Sequence, residues 1–476
     1  MKRLFLLFCL LSTFSALTGL YELALGFSSV IPLIILAWHS HANKILFQSF
    51  LSISFLAGNL FCWVIGYLTC VYFLTPYGVN VGRHPVVVMV LVNLTIWGGL
   101  LGSLLGGMII KTAGTKRSEA ISFSGIPKPS FSAIILSFLI FVSFVAILFG
   151  NDYLYARGNF SRVQSLAEYF IVASSVLQYL LFFFIGFNLD SKLLSSKNIV
   201  YFLILICSVM IMSLPGGREA SIRQIFFFMG GITFSSIPKR AKTTLFVALI
   251  ALSVIIMVII GGLRDLSSFG SGNADTKVDI LLREGRSYFS IDNNSIDNAI
   301  LPLFTRIAEL SGPKVIDDVF ENQKYIGLQG IERVATMFIP KLLYPDKPSL
   351  DDGPERLIAY GYRITAVHRV PITYLADSFQ RGGFLFTFFA SVLVCFYLAL
   401  IGALLMKINS DLLRIILIIN FSIIAFRSYT TTFFGLFWNF GYTYVRDGLM
   451  IFIVIFLLDA FSNKQKRKII SKTIAN

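Results

Sequence analysis

Arginine is the residue with which this chain could hold an anion, and it gathers at four places. The first is Pro215-Gly216-Gly217-Arg218-Glu219-Ala220-Ser221-Ile222-Arg223, where one apolar stretch stops and another starts. Glycines expose backbone N–H groups at a helix start, where the helix dipole favours negative charge, and Arg218 and Arg223 lie near that same end. A tight helical hairpin whose arginines snorkel to lipid head groups is the structural alternative. The second place runs from Gly361-Tyr362-Arg363 through His368-Arg369 to Asp377 and Arg381-Gly382-Gly383. It offers Arg363, Arg369 and Arg381 to a phosphate, with His368 or Asp377 as a general base. An ordinary polar loop position accounts for His368 equally well, and an ion pair to Arg381, four residues on, accounts for Asp377. The third place is Arg264-Asp265, which also reads as a local ion pair. The fourth is Arg427 with Arg446, around an aromatic stretch over 433–444 that could stack on sugar rings.

The rest of the chain must position these groups, and its composition fixes the medium. Of 476 residues 56% are hydrophobic and only 14% charged, with a mean hydropathy of +0.78. A soluble domain of this length cannot hide so much apolar surface, so the bilayer is the solvent and the expected class is an all-α polytopic membrane protein. Hydropathy predicts about twelve spans, each near the roughly twenty apolar residues a bilayer requires. They lie near 4–20, 22–38, 50–74, 85–110, 131–149, 168–187, 199–214, 222–236, 243–262, 383–406, 411–426 and 447–461. The first two could equally be one tilted helix. Membrane helices thus occupy 1–262 and 383–461, a large polar loop 263–382, and a basic tail 462–476. Met1-Lys2-Arg3 leads straight into an apolar run without a small-residue cleavage site, so the first span is expected to be retained.

Charge then orients the threading. With the N-terminus inside, the inner segments hold Lys44, then Lys111, Lys116, Arg117 and Lys128, then Lys192 and Lys197, then Lys239, Arg240 and Lys242, then Lys407 and Arg414. The tail, also inside, adds Lys464, Lys466, Arg467, Lys468 and Lys472. Every short inner segment is basic, as the positive-inside rule requires, and the long loop is exempt from that rule. The loop is therefore expected on the outer side. A net charge of +15 would point to nucleic acid in a soluble protein; here it is a matter of sidedness, and no nucleic-acid partner is expected. The outer segments favour Arg over Lys, and Arg grips a phosphate with a planar fork where Lys offers a point charge. An anionic ligand on that face, a phosphate or pyrophosphate, follows, although solvated charges and lipid head groups account for most of these arginines.

A polar loop of about a hundred residues exceeds ordinary connections and reads as a working part. Inside it, Ile296, Ala299, Ile300, Leu303, Ile307 and Leu310 recur at helical spacing, with Gly312 as a stop. A second short helix is predicted over 330–338, followed by a proline-broken turn over 340–348. Gly98, Gly102 and Gly106, four apart, should let helix backbones pack closely. His39, His41 and His84 fall at span ends, where isolated histidines are structural more often than catalytic. Cys9, Cys62, Cys70, Cys207 and Cys395 all lie in apolar stretches without metal-type pairing, as small packing residues. Neither a metal site nor a cofactor is expected.

The order of these features resembles the Wzy oligosaccharide repeat-unit (O-antigen) polymerases of bacterial inner membranes. The resemblance covers most of the chain: many spans, one large late loop and the short Gly216-Gly217-Arg218 hairpin. It extends through Ile339-Pro340-Lys341-Leu342-Leu343-Tyr344-Pro345-Asp346-Lys347-Pro348 and Ala376-Asp377-Ser378-Phe379-Gln380-Arg381-Gly382-Gly383 entering a span. It implies a GT-C-type membrane glycosyltransferase joining two undecaprenyl-pyrophosphate-linked oligosaccharides at the periplasmic face, without metal or nucleotide sugar. Membrane lipids and a chain-length regulator would be its other partners. Arg218, Arg223, Arg363, Arg369, Arg381 and Arg264 become the pyrophosphate candidates, and His368 or Asp377 the base. The related O-antigen ligases share the architecture and use a loop His with arginines. A flippase or transporter would show charges in mid-span and repeat symmetry, and neither is evident here.

Overall fold

In a computed structural model of the chain, the residues described are 1–43, 46–75, 79–112, 129–150, 178–192, 194–213, 218–265, 308, 311–336, 344, 372–408 and 410–438. Among them regular structure is entirely helical. In chain order the helices are α1 (Lys2–Leu17), α2 (Tyr21–Ala42), α3 (Leu46–Leu60), α4 (Pro85–Thr112), α5 (Phe131–Gly150), α6 (Gln178–Phe187) and α7 (Ser196–Ser213). They continue with α8 (Arg218–Phe234), α9 (Lys239–Asp265), α10 (Ser311–Asn322), α11 (Ile331–Ala335), α12 (Tyr374–Met406), α13 (Asp411–Arg427) and α14 (Phe433–Trp438). Among the described residues five segments are long and apolar enough to cross a bilayer: Tyr21–Ala42, Ser49–Leu74, Pro85–Ile110, Tyr374–Met406 and Asp411–Thr430. The twelfth apolar stretch, 447–461, lies outside the described residues. The first two stretches are separate helices, parted by a turn in which Gly19 has φ +78°.

Two compact units divide the chain. The first comprises Met1–Ile121, Ala251–Lys407 and Asn420–Asn439; the second Ser122–Ile250, Ile408–Ile419 and Phe440–Asn476. The backbone of the first unit is the seam between α4 and α12. Its cause is the glycine series: a Cβ on Gly102 would land on the Val392 carbonyl, one on Gly98 on the Phe388 carbonyl, and one on Gly106 on the Ala399 methyl. Small residues let two helices meet at backbone distance, where dispersion rather than the hydrophobic effect holds them in lipid. Three of the cysteines, Cys62, Cys70 and Cys395, are buried in this unit as packing residues.

Two features of the first unit depart from regular α geometry. After Leu60 the third helix widens into π-helix over Phe61–Tyr67 and again over Cys70–Leu74. In the wider turn Trp63 meets Tyr67 edge to face, with ring centroids 5.7 Å apart and planes at 66°. The other is a break in α12, where Gly382 (φ −175°) and Gly383 (φ +69°, ψ −153°) leave the helical region. Only Gly383 needs to be glycine for its backbone.

The polar segment also differs from its sequence reading. Gly312 was expected to end a helix; instead it lies in the first turn of α10, which starts at Ser311. Packing decides this, because Gly312 lies against Trp63 and Thr373, and a Cβ there would meet the Thr373 hydroxyl. The helix expected before it, over 296–310, falls outside the described residues apart from Ala308. The short helix predicted over 330–338 is present as α11, capped by Gly330 in the left-handed region at φ +87°.

Candidate functional site

The long apolar helix α12 begins at Tyr374, and its first eight residues are buried throughout. Thr373 caps the helix, its hydroxyl accepting from the Ala376 N–H at 3.2 Å. One turn further, Asp377 and Arg381 form a buried ion pair, Nε to Oδ2 at 3.0 Å, with side-chain exposures of 0% and 1%. The same carboxylate oxygen accepts the Phe433 N–H at 2.6 Å, so it holds the first residue of α14. Arg381 Nη1 donates to the carbonyls of Gly327 (3.1 Å) and Gln329 (2.8 Å), and its guanidinium lies 4.2 Å from the Phe434 ring centre.

The contact is completed by backbone. The carbonyls of Gln380 and Arg381, left open where the helix breaks, accept the N–H groups of Ile326 (2.9 Å) and Gly327 (3.0 Å). Asp377 and Arg381 thus tie the 326–329 turn, the break in α12 and α14 into one node. The Nε and Nη1 donors of Arg381 are taken up by Asp377 and two backbone carbonyls. Of the aromatic stretch over 433–444, residues 439–444 lie outside the described residues. At its start Phe433 and Phe434 are buried, Phe434 under the Arg381 guanidinium and Phe433 against Tyr374 and Phe386.

In the second unit, Arg223 lies in the second turn of α8, and its Nη1 donates to the Tyr179 hydroxyl of α6 at 3.0 Å. Tyr179 in turn stacks on Phe227, with centroids 4.6 Å apart and planes at 5°. The two helices run parallel, and their crossing is fixed by glycine: Gly231 lies against the Phe183 carbonyl and Gly186 against that of Phe228. Of the other candidates, Arg218 opens α8 and Arg264 lies in the last turn of α9, by backbone. Arg363, His368, Arg369 and Arg446 lie outside the described residues. Arg427 is at the C-terminal end of α13.

Sequence reading missed the groups that dock the polar segment on the membrane helices. Asp317 of α10, 5% exposed, accepts the backbone N–H of Arg83 at 2.6 Å and of His84 at 3.1 Å. Glu321 accepts from Arg83 Nη1 at 2.8 Å and lies 3.3 Å from His84 Nε2. Burial pushes the Asp317 carboxyl above its ordinary value, with the two N–H bonds pulling the other way. One signal was available: an acid flanked by Val315, Ile316 and Val319 on a buried helix needs a partner. No group of three or more His, Cys, Asp or Glu among the described residues is arranged to hold a metal.

Compared with protein-family models, with curated proteins and with solved structures, the chain matches none.

Proposed function

We propose that the chain is a multi-pass glycosyltransferase of the bacterial inner membrane, with about twelve spans of GT-C type and both termini cytoplasmic. It polymerises undecaprenyl-pyrophosphate-linked oligosaccharide repeat units at the periplasmic face. The growing glycan leaves its lipid pyrophosphate and is transferred to the non-reducing end of the incoming unit. Arginine stabilises the departing pyrophosphate, where negative charge develops, and a base takes the proton from the acceptor hydroxyl.

The observation that carries this reading is the return of the polar segment. The stretch Ala376 to Gly383, on which the family resemblance partly rests, is a buried helix end that breaks directly onto a long apolar helix. A segment anchored this firmly at the membrane mouth suits a site that must hold two lipid-borne substrates in register. In this reading Asp377 and Arg381 position the loop, whereas Arg218, Arg223, Arg363 and Arg369 are the pyrophosphate contacts and His368 the base. Arg264 is a further candidate at the end of α9.

The test is a lipopolysaccharide gel of a strain lacking the gene, rescued by wild type or by Arg223→Ala. Glycan cut to a single repeat unit in the deletion supports polymerisation. Complete absence of glycan on the core would replace it with ligation or flipping. A full ladder restored by Arg223→Ala would remove Arg223 from the site and leave the polymerase reading intact.

A further inference from the structure

The turn between α10 and α11 holds apolar side chains outward while its backbone bonds inward. Tyr325, Leu328 and Ile331 are 47%, 55% and 49% exposed. A single exposed apolar residue needs no explanation, but three large ones in so short a turn form a patch. The backbone beneath them is closed. The N–H groups of Ile326 and Gly327 donate to the carbonyls of Gln380 and Arg381, that of Gln329 to Ile326 (3.3 Å), and that of Ile331 to Leu328 (3.1 Å). Arg381 Nη1 serves the carbonyls of Gly327 and Gln329. All four carbonyls from Ile326 to Gln329 are therefore bonded within the protein. A turn bathed in water can leave such groups to the solvent; one that meets lipid cannot. Arg381 does for two of them what water does elsewhere.

The place of the turn says what covers the patch. Both the turn and α12 belong to the first unit. The first eight residues of α12 are buried, and the helix exposes large apolar side chains only after its break, at Phe384, Leu385 and Phe389. From there on it is the outer surface of a helix long and apolar enough to cross a bilayer. The turn sits at that break: a Cβ on Gly383 would lie 3.2 Å from the Tyr325 hydroxyl. The buried Phe379 ring meets both Tyr325 (centroids 6.5 Å apart) and Phe384 (5.2 Å). The patch thus continues the apolar surface of α12. Polar neighbours set its depth. Tyrosine favours the membrane interface, the adjoining Lys324 can snorkel to lipid phosphate, and exposed Gln329 and Glu332 keep the turn out of the hydrocarbon interior. A protein partner fits less well, because a stable interface takes about 800 Å² from each side and the turn supplies three side chains.

We propose that the 325–331 turn anchors the polar segment in the membrane, with Tyr325, Leu328 and Ile331 immersed at the head-group boundary of the leaflet beside the break in α12. The partner is the bilayer surface itself, whatever reaction the chain performs.

The test uses the full chain in nanodiscs, in a background lacking the native cysteines, with the environment-sensitive fluorophore NBD attached at Leu328→Cys. Leu385→Cys marks lipid, and Lys192→Cys, on an exposed polar connection, marks water and reads the affinity of the dye itself for lipid. Emission from Leu328→Cys should lie to the blue of that from Lys192→Cys. Phosphatidylcholine brominated near the glycerol should quench it by at least about half as much as it quenches Leu385→Cys, and more than lipid brominated at the chain end, as shallow immersion requires. Iodide in the buffer should quench it at least about twofold less than Lys192→Cys, because the boundary excludes the ion. Iodide quenching equal to that of Lys192→Cys, without quenching by lipid, would place the turn in water. Shielding from both quenchers would mean that protein covers it: a second copy if the shielding is lost in nanodiscs holding one chain, the rest of the polar segment if it persists. Each of these overturns the proposal. If Leu328→Cys does not fold, Ile331→Cys is read by the same criteria.

Discussion

Asp377 and Arg381 meet within one helical turn, Nε to Oδ2 at 3.0 Å, in a place where neither side chain is more than 1% exposed. An isolated pair of this spacing on a helix surface contributes only tenths of a kcal/mol. Buried, with Gly327, Gln329 and Phe433 as further partners, it becomes the node on which three segments depend.

Removing one partner should therefore cost far more than removing both. Asp377→Ala or Arg381→Ala leaves an uncompensated buried charge, an expected loss of roughly 3–5 kcal/mol. The double variant Asp377→Ala/Arg381→Ala, which removes both charges, should lose less than the two single losses added together. Thermal unfolding in detergent across the four proteins measures the coupling, and additive losses would show that the two groups act independently.

The seam between α4 and α12 gives a second ordering. A methyl at Gly102 meets the Val392 backbone carbonyl, which cannot turn aside, whereas one at Gly99 meets the flexible end of Leu56 first. Gly102→Ala should lose about 1–3 kcal/mol or more, and Gly99→Ala clearly less. Melting temperatures of the two variants decide it; equal losses would mean that the seam adjusts by sliding.

Asp317 links stability to pH. Its carboxyl is raised above the ordinary 3.8 by burial. A group raised in the folded state contributes stability that is complete below its unfolded value and fades as pH rises through the raised one. Asp317→Asn has no such titration, so it should gain on wild type as pH climbs from 3.8 through that window. A stability difference that stays flat across a pH series of melting curves would show that the carboxylate is fully compensated by the Arg83 and His84 N–H groups.

Orientation is open to chemistry. Tyr344, 39% exposed, belongs to the polar segment read as outer, and exposed Lys192 to a connection read as inner. In a background lacking the native cysteines, Tyr344→Cys should react with a membrane-impermeant maleimide in spheroplasts. Lys192→Cys should react only after the membrane is opened. The reverse labelling would invert the threading.

What the sequence determined by itself is what depends on local, additive properties. Mean hydropathy and helical period are summed over twenty residues at a time, so the apolar helices, the close packing at Gly98, Gly102 and Gly106, and the short helix after Gly330 were legible. The local candidate pair Asp377–Arg381 was also visible, because i and i+4 share a helix face. The tertiary structure decided where the remaining hydrogen bonds go. Gly327 and Gln329 close on Arg381 from 54 and 52 residues away, and Asp317 closes on Arg83 from 234. It also left Gln178 and Gln224 buried with amide atoms unmatched. A polar group's partner is set by how the chain closes on itself, and no window of neighbouring residues contains that information.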